Sequence, residues 1–155
     1  MVYSIALRMV GDRGAAEEIS QDVFLALHAS LAELQSSDHV LFWLRRVAVH
    51  RSTDHLRKRR LRPASGAVEW SEEHSPAPAP ERRPAEIDVR LESMVQSLPP
   101  PLRSALVLRY QEDLGPAEIA ALLDLPLATV KSDLRRALEM LRRKAGAALK
   151  EYQRG

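Results

Sequence analysis

Cysteine is absent from the 155 residues. That excludes a disulfide framework and any zinc site built on thiolates, and it fits a reducing cytoplasm. Aromatic residues are scarce at 5%, so a hydrophobic content of 45% must be packed through Leu, Val, Ile and Ala, which suits helix-on-helix cores. No apolar run approaches the roughly 20 residues needed to span a bilayer. No signal-peptide pattern opens the chain, because Arg8, Asp12 and Arg13 interrupt its start. The motifs of common enzyme chemistry are also missing: no HExxH pair, no phosphate-binding glycine loop, no nucleophile elbow. His28, His39, His50, His55 and His74 are scattered, and His50 and His55 lack the i, i+4 spacing of a helical metal pair. These absences point away from an enzyme and from any metal or cofactor.

Charge is abundant, and it is segregated. Net charge is only +2. Yet Asp12, Glu17, Glu18, Asp22 and Glu33 make the beginning acidic, and Arg45, Arg46, Arg51, Arg57, Lys58, Arg59, Arg60 and Arg62 make the next stretch basic. Such segregation bears on partners more than the net value does.

The pattern predicts an all-α protein of two small helical domains joined by a flexible linker. Residues 1–62 read as helical: Ala16, Ile19, Val23, Leu27, Leu31 and Leu34 recur at steps of three or four. "QSSDH" then breaks the pattern with capping-type residues, and "VLFWLRRVAVHRSTDHLRKRRLR" starts a helix that is apolar first and basic later. Residues 63–85, "PASGAVEWSEEHSPAPAPERRPA", hold five of the ten prolines and no sustained period, the composition of a linker. About 22 such residues span at most roughly 70 Å. Residues 86–155 return to helical patterning, with "EIDVRLESMVQSL" stopped by Pro99, Pro100 and Pro101 and "LRSALVLRYQEDL" following.

In "GPAEIAALLDLPLATVKSDLRRALEMLRR" (115–143) two helical patterns nearly touch. Gly115 suits an N-cap, Pro116 the first helical position, and Glu118 the first turn. Ile119, Leu122 and Leu123 form one inner face; Asp124 and Leu125 make a turn; Val130, Leu134 and Leu138 form the second inner face. A small residue (Ala120), a tight turn and a second apolar helix is a helix-turn-helix pattern. The second helix would then expose Thr129, Lys131, Ser132, Asp133, Arg135 and Arg136 toward a DNA major groove. An ordinary helical hairpin with a solvated charged face fits the same spacing.

"LPPPLRSALVLRYQEDLGPAEIAALLDLPLATVKSDLRRALEMLRR" resembles the C-terminal domain of bacterial sigma factors of the sigma-70 family, extracytoplasmic-function (ECF) group. Leu98, Pro99, Arg103, Arg109, Tyr110, Glu112, Glu118, Thr129, Lys131, Ser132 and Arg136 stand in the family's places. The first domain resembles the same family independently. "GDRGAAEEISQDVFLAL" matches the helix that grips the polymerase clamp, and "WLRRVAVHRSTDHLRKRR" the promoter-melting helix. The chain departs from the family with His50 for Asn, Ala128 for Gly, Asp133 for Arg and Asp124 for a turn glycine. Relatives also carry about one more helical segment before "YSIALRMVGD".

The resemblance implies an alternative sigma factor that binds core RNA polymerase, directs it to promoter DNA and helps open it. Glu17, Glu18, Gln21 and Asp22 would face polymerase. Gln35, Ser36, Ser37, Asp38 and His39 would capture a base flipped from the minus-ten element, although a plain polar turn reads the same way. A flipped base needs a polar pocket that reads its pairing edge. Arg45, Arg46, His50, Arg51, Arg57 and Lys58 would line that DNA, where phosphate contacts make binding salt-dependent. Phe42 and Trp43 beside them tempt a stacking role, but helical spacing favours core packing for Trp43. Asp54 suits a buried partner for a nearby Arg. Thr129, Lys131, Ser132, Asp133, Arg135 and Arg136 would read the minus-thirty-five element. An anti-sigma protein, in this family often membrane-tethered, is the implied regulator.

Overall fold

The structure, a computed structural model, describes the backbone of residues 1–61 and 86–154 and the side chains of residues 1–61 and 90–147. The expected linker, residues 63–85, lies outside the described residues. The described residues form seven α-helices and one short 3-10 turn, with no strand among them: α1 Val2–Val10, α2 Arg13–Ser30, the turn Leu31–Glu33, α3 Ser37–Leu61, α4 Glu86–Gln96, α5 Pro100–Tyr110, α6 Pro116–Leu123 and α7 Leu127–Arg154.

Local chemistry sets the breaks. Gly11 ends α1 in the left-handed region (φ 76°), and its N–H donates to Leu7 O, a closure that favours glycine. Asp12 immediately caps α2, its carboxylate accepting from Ala15 N–H at 2.7 Å. Ser36 caps α3 by accepting from His39 N–H at 3.1 Å. The polar break expected over residues 35–39 is therefore shorter, and Asp38 and His39 sit in the first turn of α3. Pro100 and Pro101 open α5 rather than only stopping α4, since a helix start needs no N–H there.

Helices α1, α2 and α3 pack on one another, and α5, α6 and α7 form a second group with α4 against α7. Ala16 and Ala48, both fully buried, let α2 and α3 approach. The buried hydroxyls of Ser20 and Ser52 donate back to Ala16 O and Ala48 O, so neither costs an unmet polar group. Val23 and Ile19 are buried as the spacing implies, but Leu31 is 52% exposed. The chain tightens into the 3-10 turn at that residue and rotates it off the inner stripe.

The two groups share a core. Ile5, Met9, Val23 and Ala48 belong to one buried cluster with Leu108, Leu114, Ile119, Leu122 and Val130. A smaller cluster of Val95, Leu98, Leu102, Leu106 and Ala137 lies under α4, α5 and α7. Arg103, buried at 6% exposure, joins the groups through polar contacts. Its guanidinium donates to Met9 O at the end of α1 and to Gln96 O and Leu98 O at the end of α4. A cation there faces the negative ends of two helices.

Candidate polymerase and nucleic-acid interfaces

On α2 the inner stripe of Ala15, Ala16, Ile19, Ser20 and Val23 turns Glu17, Glu18, Gln21 and Asp22 to the surface. Phe24 and Leu25 project beside them at 53% and 70% exposure. Two large apolar side chains next to four polar ones make a mixed face suited to a protein partner. Sequence reasoning did not assign Leu25 or Phe24 to this site; the signal was present, since neither falls on the helix's inner stripe. Asp22 Oδ2 accepts from Arg51 at 3.4 Å, so a residue assigned to polymerase and one assigned to DNA touch each other. With both side chains about half exposed, the pair contributes little to stability.

At the start of α3, Gln35, Ser36, Ser37, Asp38 and His39 are all exposed, followed by the exposed Leu41 and Phe42. Trp43 is half-buried and packs with Val40 and Val47 on the core, the role its spacing favoured. The 25 residues of α3 make a rod about 37 Å long. At about 100° per residue, Arg46, His50 and Arg57 fall near one side and Arg51 and Lys58 near the next, while Arg45 stands apart. His50, Arg51, Arg57 and Lys58 are exposed; Arg45 and Arg46 are half-buried. Arg45 does not face outward freely. Its Nε donates to Glu112 Oε2 at 3.0 Å, and the Glu112 side chain is only 8% exposed. Asp54 pairs with Arg57 at 3.1 Å, but on the surface, not buried as the sequence suggested.

The hairpin of α6 and α7 forms as the spacing implies. Gly115 precedes Pro116 at the start of α6, and Glu118 Oε2 accepts from Gly115 N–H at 2.7 Å. Asp124 takes the left-handed conformation (φ 55°) in the turn between α6 and α7. Asp and Asn tolerate that region better than most residues. Ile119, Leu122 and Val130 are buried, and Leu123, Leu134 and Leu138 are partly so. Thr129, Lys131, Arg135 and Arg136 are exposed and Ser132 is half-buried.

Asp133 corrects the sequence reading. It is 8% exposed, not outward-facing. The helical period explains it: positions 130, 133 and 137 fall on one stripe, and Val130 and Ala137 on that stripe are fully buried. Its carboxylate oxygens are not among the buried polar atoms left without a partner. A cytosine contact by Asp133 has no support in this geometry.

An acidic-apolar helix face, a long basic helix and a helix-turn-helix with an exposed cationic side follow one another in that order. The chain matches two family models, Sigma-70 region 2 over residues 1–62 and Sigma-70, region 4 over residues 88–141. It belongs to the sigma-70 family, and its relatives place it with the ECF sigma factors. It is 32% identical over 99% of its length to the probable RNA polymerase sigma factor RfaY of Xanthomonas campestris, of which it spans 40%. It is 29% identical over 97% of its length to the RNA polymerase sigma-H factor of Pseudomonas aeruginosa, of which it spans 83%. It is 25% identical over 92% of its length to the ECF sigma factor SigW of Bacillus subtilis, of which it spans 81%. In fold it is similar to the sigma factor RpoE of Bartonella quintana, solved with the anti-sigma factor NepR, at a TM-score of 0.70 and 17% identity. That match covers 94% of this chain and 89% of the other. No helix among the described residues is long and apolar enough to cross a membrane.

Proposed function

We propose that this chain is an alternative sigma factor of the ECF type, a specificity subunit without catalysis of its own. Residues 1–62 form the unit that binds core RNA polymerase and the minus-ten element. Residues 63–85 are the tether, and residues 86–155 form the unit that binds the minus-thirty-five element. Glu17, Glu18, Gln21 and Asp22, with Phe24 and Leu25 beside them, dock on polymerase. Residues 35–39 at the tip of α3 take up a flipped base, and Arg46, His50, Arg51, Arg57 and Lys58 hold the adjacent phosphates. Lys131, Ser132, Arg135 and Arg136 of α7 enter the major groove, with Thr129 at the groove edge. The protein acts in the cytoplasm, where polymerase and promoter are found.

The observation that carries this reading is the exposed cationic side of α7, braced through buried Val130 and Ala137. It follows, in one chain, an α2 face with exposed Phe24 and Leu25. The likeness to RpoE, solved bound to the anti-sigma factor NepR, supports an anti-sigma protein as regulator. Membrane tethering of that regulator is an expectation from the family. Run-off transcription with purified core polymerase on a random promoter library tests the whole. Discrete start sites that depend on the added chain are expected; failure to bind core polymerase overturns it.

A further inference from the structure

Helix α7 carries two carboxylates among its described side chains, Asp133 and Glu139, and the fold treats them oppositely. Asp133 is 8% exposed, on the inner stripe of Val130 and Ala137. The Glu139 side chain is 57% exposed and lies one turn beyond Arg135. At about 100° and about 1.5 Å per residue, Glu139 stands about 40° round the helix and about 6 Å along it from Arg135. The same arithmetic sets it between a row of Lys131, Arg135 and Arg142 and a row of Arg136 and Arg143, all five of them exposed. A carboxylate thus stands in the middle of the cationic side. Arg136, three residues before Glu139, and Arg135, four before it, are both within helical reach. The ion pair is with Arg135, whose Nε lies 3.9 Å from Glu139 Oε1.

We propose that Glu139 is a positioning residue for promoter reading: it holds the Arg135 guanidinium in the orientation that reads one guanine of the minus-thirty-five element. The assignment rests on the sigma-factor reading above, and three arguments carry it. The first is geometry. Contact at Nε leaves both terminal Nη groups for a second partner, and two donors fixed in one plane match guanine O6 and N7. The second is order. The Arg135 side chain is 73% exposed, and a long exposed side chain loses rotamer freedom when it docks; a partner on its own helix removes part of that cost beforehand. At 3.9 Å and more than half exposed on both sides, the pair adds little to stability, so its consequence is orientation. The third is charge. A carboxylate on the DNA side repels every phosphate near it and weakens binding to unrelated duplex. Specificity is a difference of affinities, and a better-held Arg135 and a weaker phosphate contact both increase it.

Binding-site selection tests this, with core polymerase carrying the full chain and a duplex library randomised over the minus-thirty-five element. Arg135→Ala should erase a guanine preference at one position. Glu139→Gln keeps the shape and removes the charge. It should weaken the guanine preference at that same position by about two- to fivefold and raise affinity for unrelated duplex. In the Arg135→Ala background, Glu139→Gln should change no base preference further, because Glu139 acts through Arg135. Both side chains are more than half exposed, so neither change should alter the far-ultraviolet circular dichroism. A uniform rise in affinity with an unchanged base profile for Glu139→Gln would show that the carboxylate only repels DNA, and the positioning role falls. Loss of preference at a position that Arg135→Ala leaves intact would make Glu139 a reader in its own right, again overturning it. A base profile untouched by Arg135→Ala removes the residue that Glu139 is said to hold. An unsubstituted chain that brings core polymerase to no discrete motif defeats the sigma-factor reading itself, and this assignment with it.

Discussion

The two helical groups solve burial differently. In α5 seven consecutive residues, Leu102 through Leu108, are buried, because α1, α3, α6 and α7 surround the helix. In α2 only one stripe is buried, and Phe24 and Leu25 stand in solvent. A helix buried all round is a packing element, and one buried on a stripe leaves a face for partners. In the function proposed above, DNA reading in the C-terminal group therefore falls to α7, where Thr129, Lys131, Arg135 and Arg136 are exposed. In the N-terminal group the same proposal places it on the outer faces of α2 and α3. The difference also shows what holds the groups together: part of the burial of α5 is supplied by the other group, through α1 and α3.

Breaking α5 should have the largest effect. Leu108, with 0% exposure in the shared cluster, should cost about 2–5 kcal/mol when changed to Ala, read as a lower urea midpoint. An equivalent loss is not expected at Leu25, where truncation to Ala should leave stability within about 0.5 kcal/mol and weaken core polymerase binding instead. Next comes Arg103→Ala, which strips three carbonyls of a buried donor and should cost about 1–3 kcal/mol. Because one of those carbonyls is Met9 O, hydrogen exchange should rise in α1 as well as in α5. A rise confined to α4 and α5 would show that Arg103 serves only its own group.

Desolvation by burial lowers the Arg103 pKa from the usual arginine value. The guanidinium remains charged at physiological pH, so no pH switch is expected at this residue.

Arg136→Ala should leave the fold intact and reduce binding to the minus-thirty-five element by about 1–3 kcal/mol if Arg136 reads a guanine. A loss uniform across sequences, with the salt slope flattened by about one, would mean a phosphate contact instead. Binding-site selection at two salt concentrations separates these outcomes. The smallest effect is expected at Asp133. Changing it to Ala improves helix propensity, so stability should rise by about 0.5 kcal/mol. The corresponding gain in melting temperature is about 1–2 °C, measurable by calorimetry. A fall would show that the carboxylate has a stabilising role in solution.

The order of helices, the hairpin from Gly115 onward and the exposed polar side of α2 were legible in the sequence because they depend on neighbours within a turn or two. Period and capping chemistry are local, and Asp12, Ser36 and Pro116 act on the residues that follow them. Asp133 was misread for a different reason. Its position three residues after Val130 already placed it on the inner stripe, but its chemical type suggested the outside. Phe24 and Leu25 were the opposite case: apolar by type, outward by position.

By itself, then, the sequence determined which segments are helical and, Asp133 aside, which helix sides carry charge, since these follow from spacing and local hydrogen bonding, whereas the end of α2 and the start of α3 shifted by a few residues. Only the tertiary structure decided that Arg103 ties α1 to α4, that Gln96 lies over Gly11, and that Arg45 pairs with Glu112, 67 positions away. Contacts at such separations depend on how whole helices are set against one another, and no periodicity within a helix encodes that.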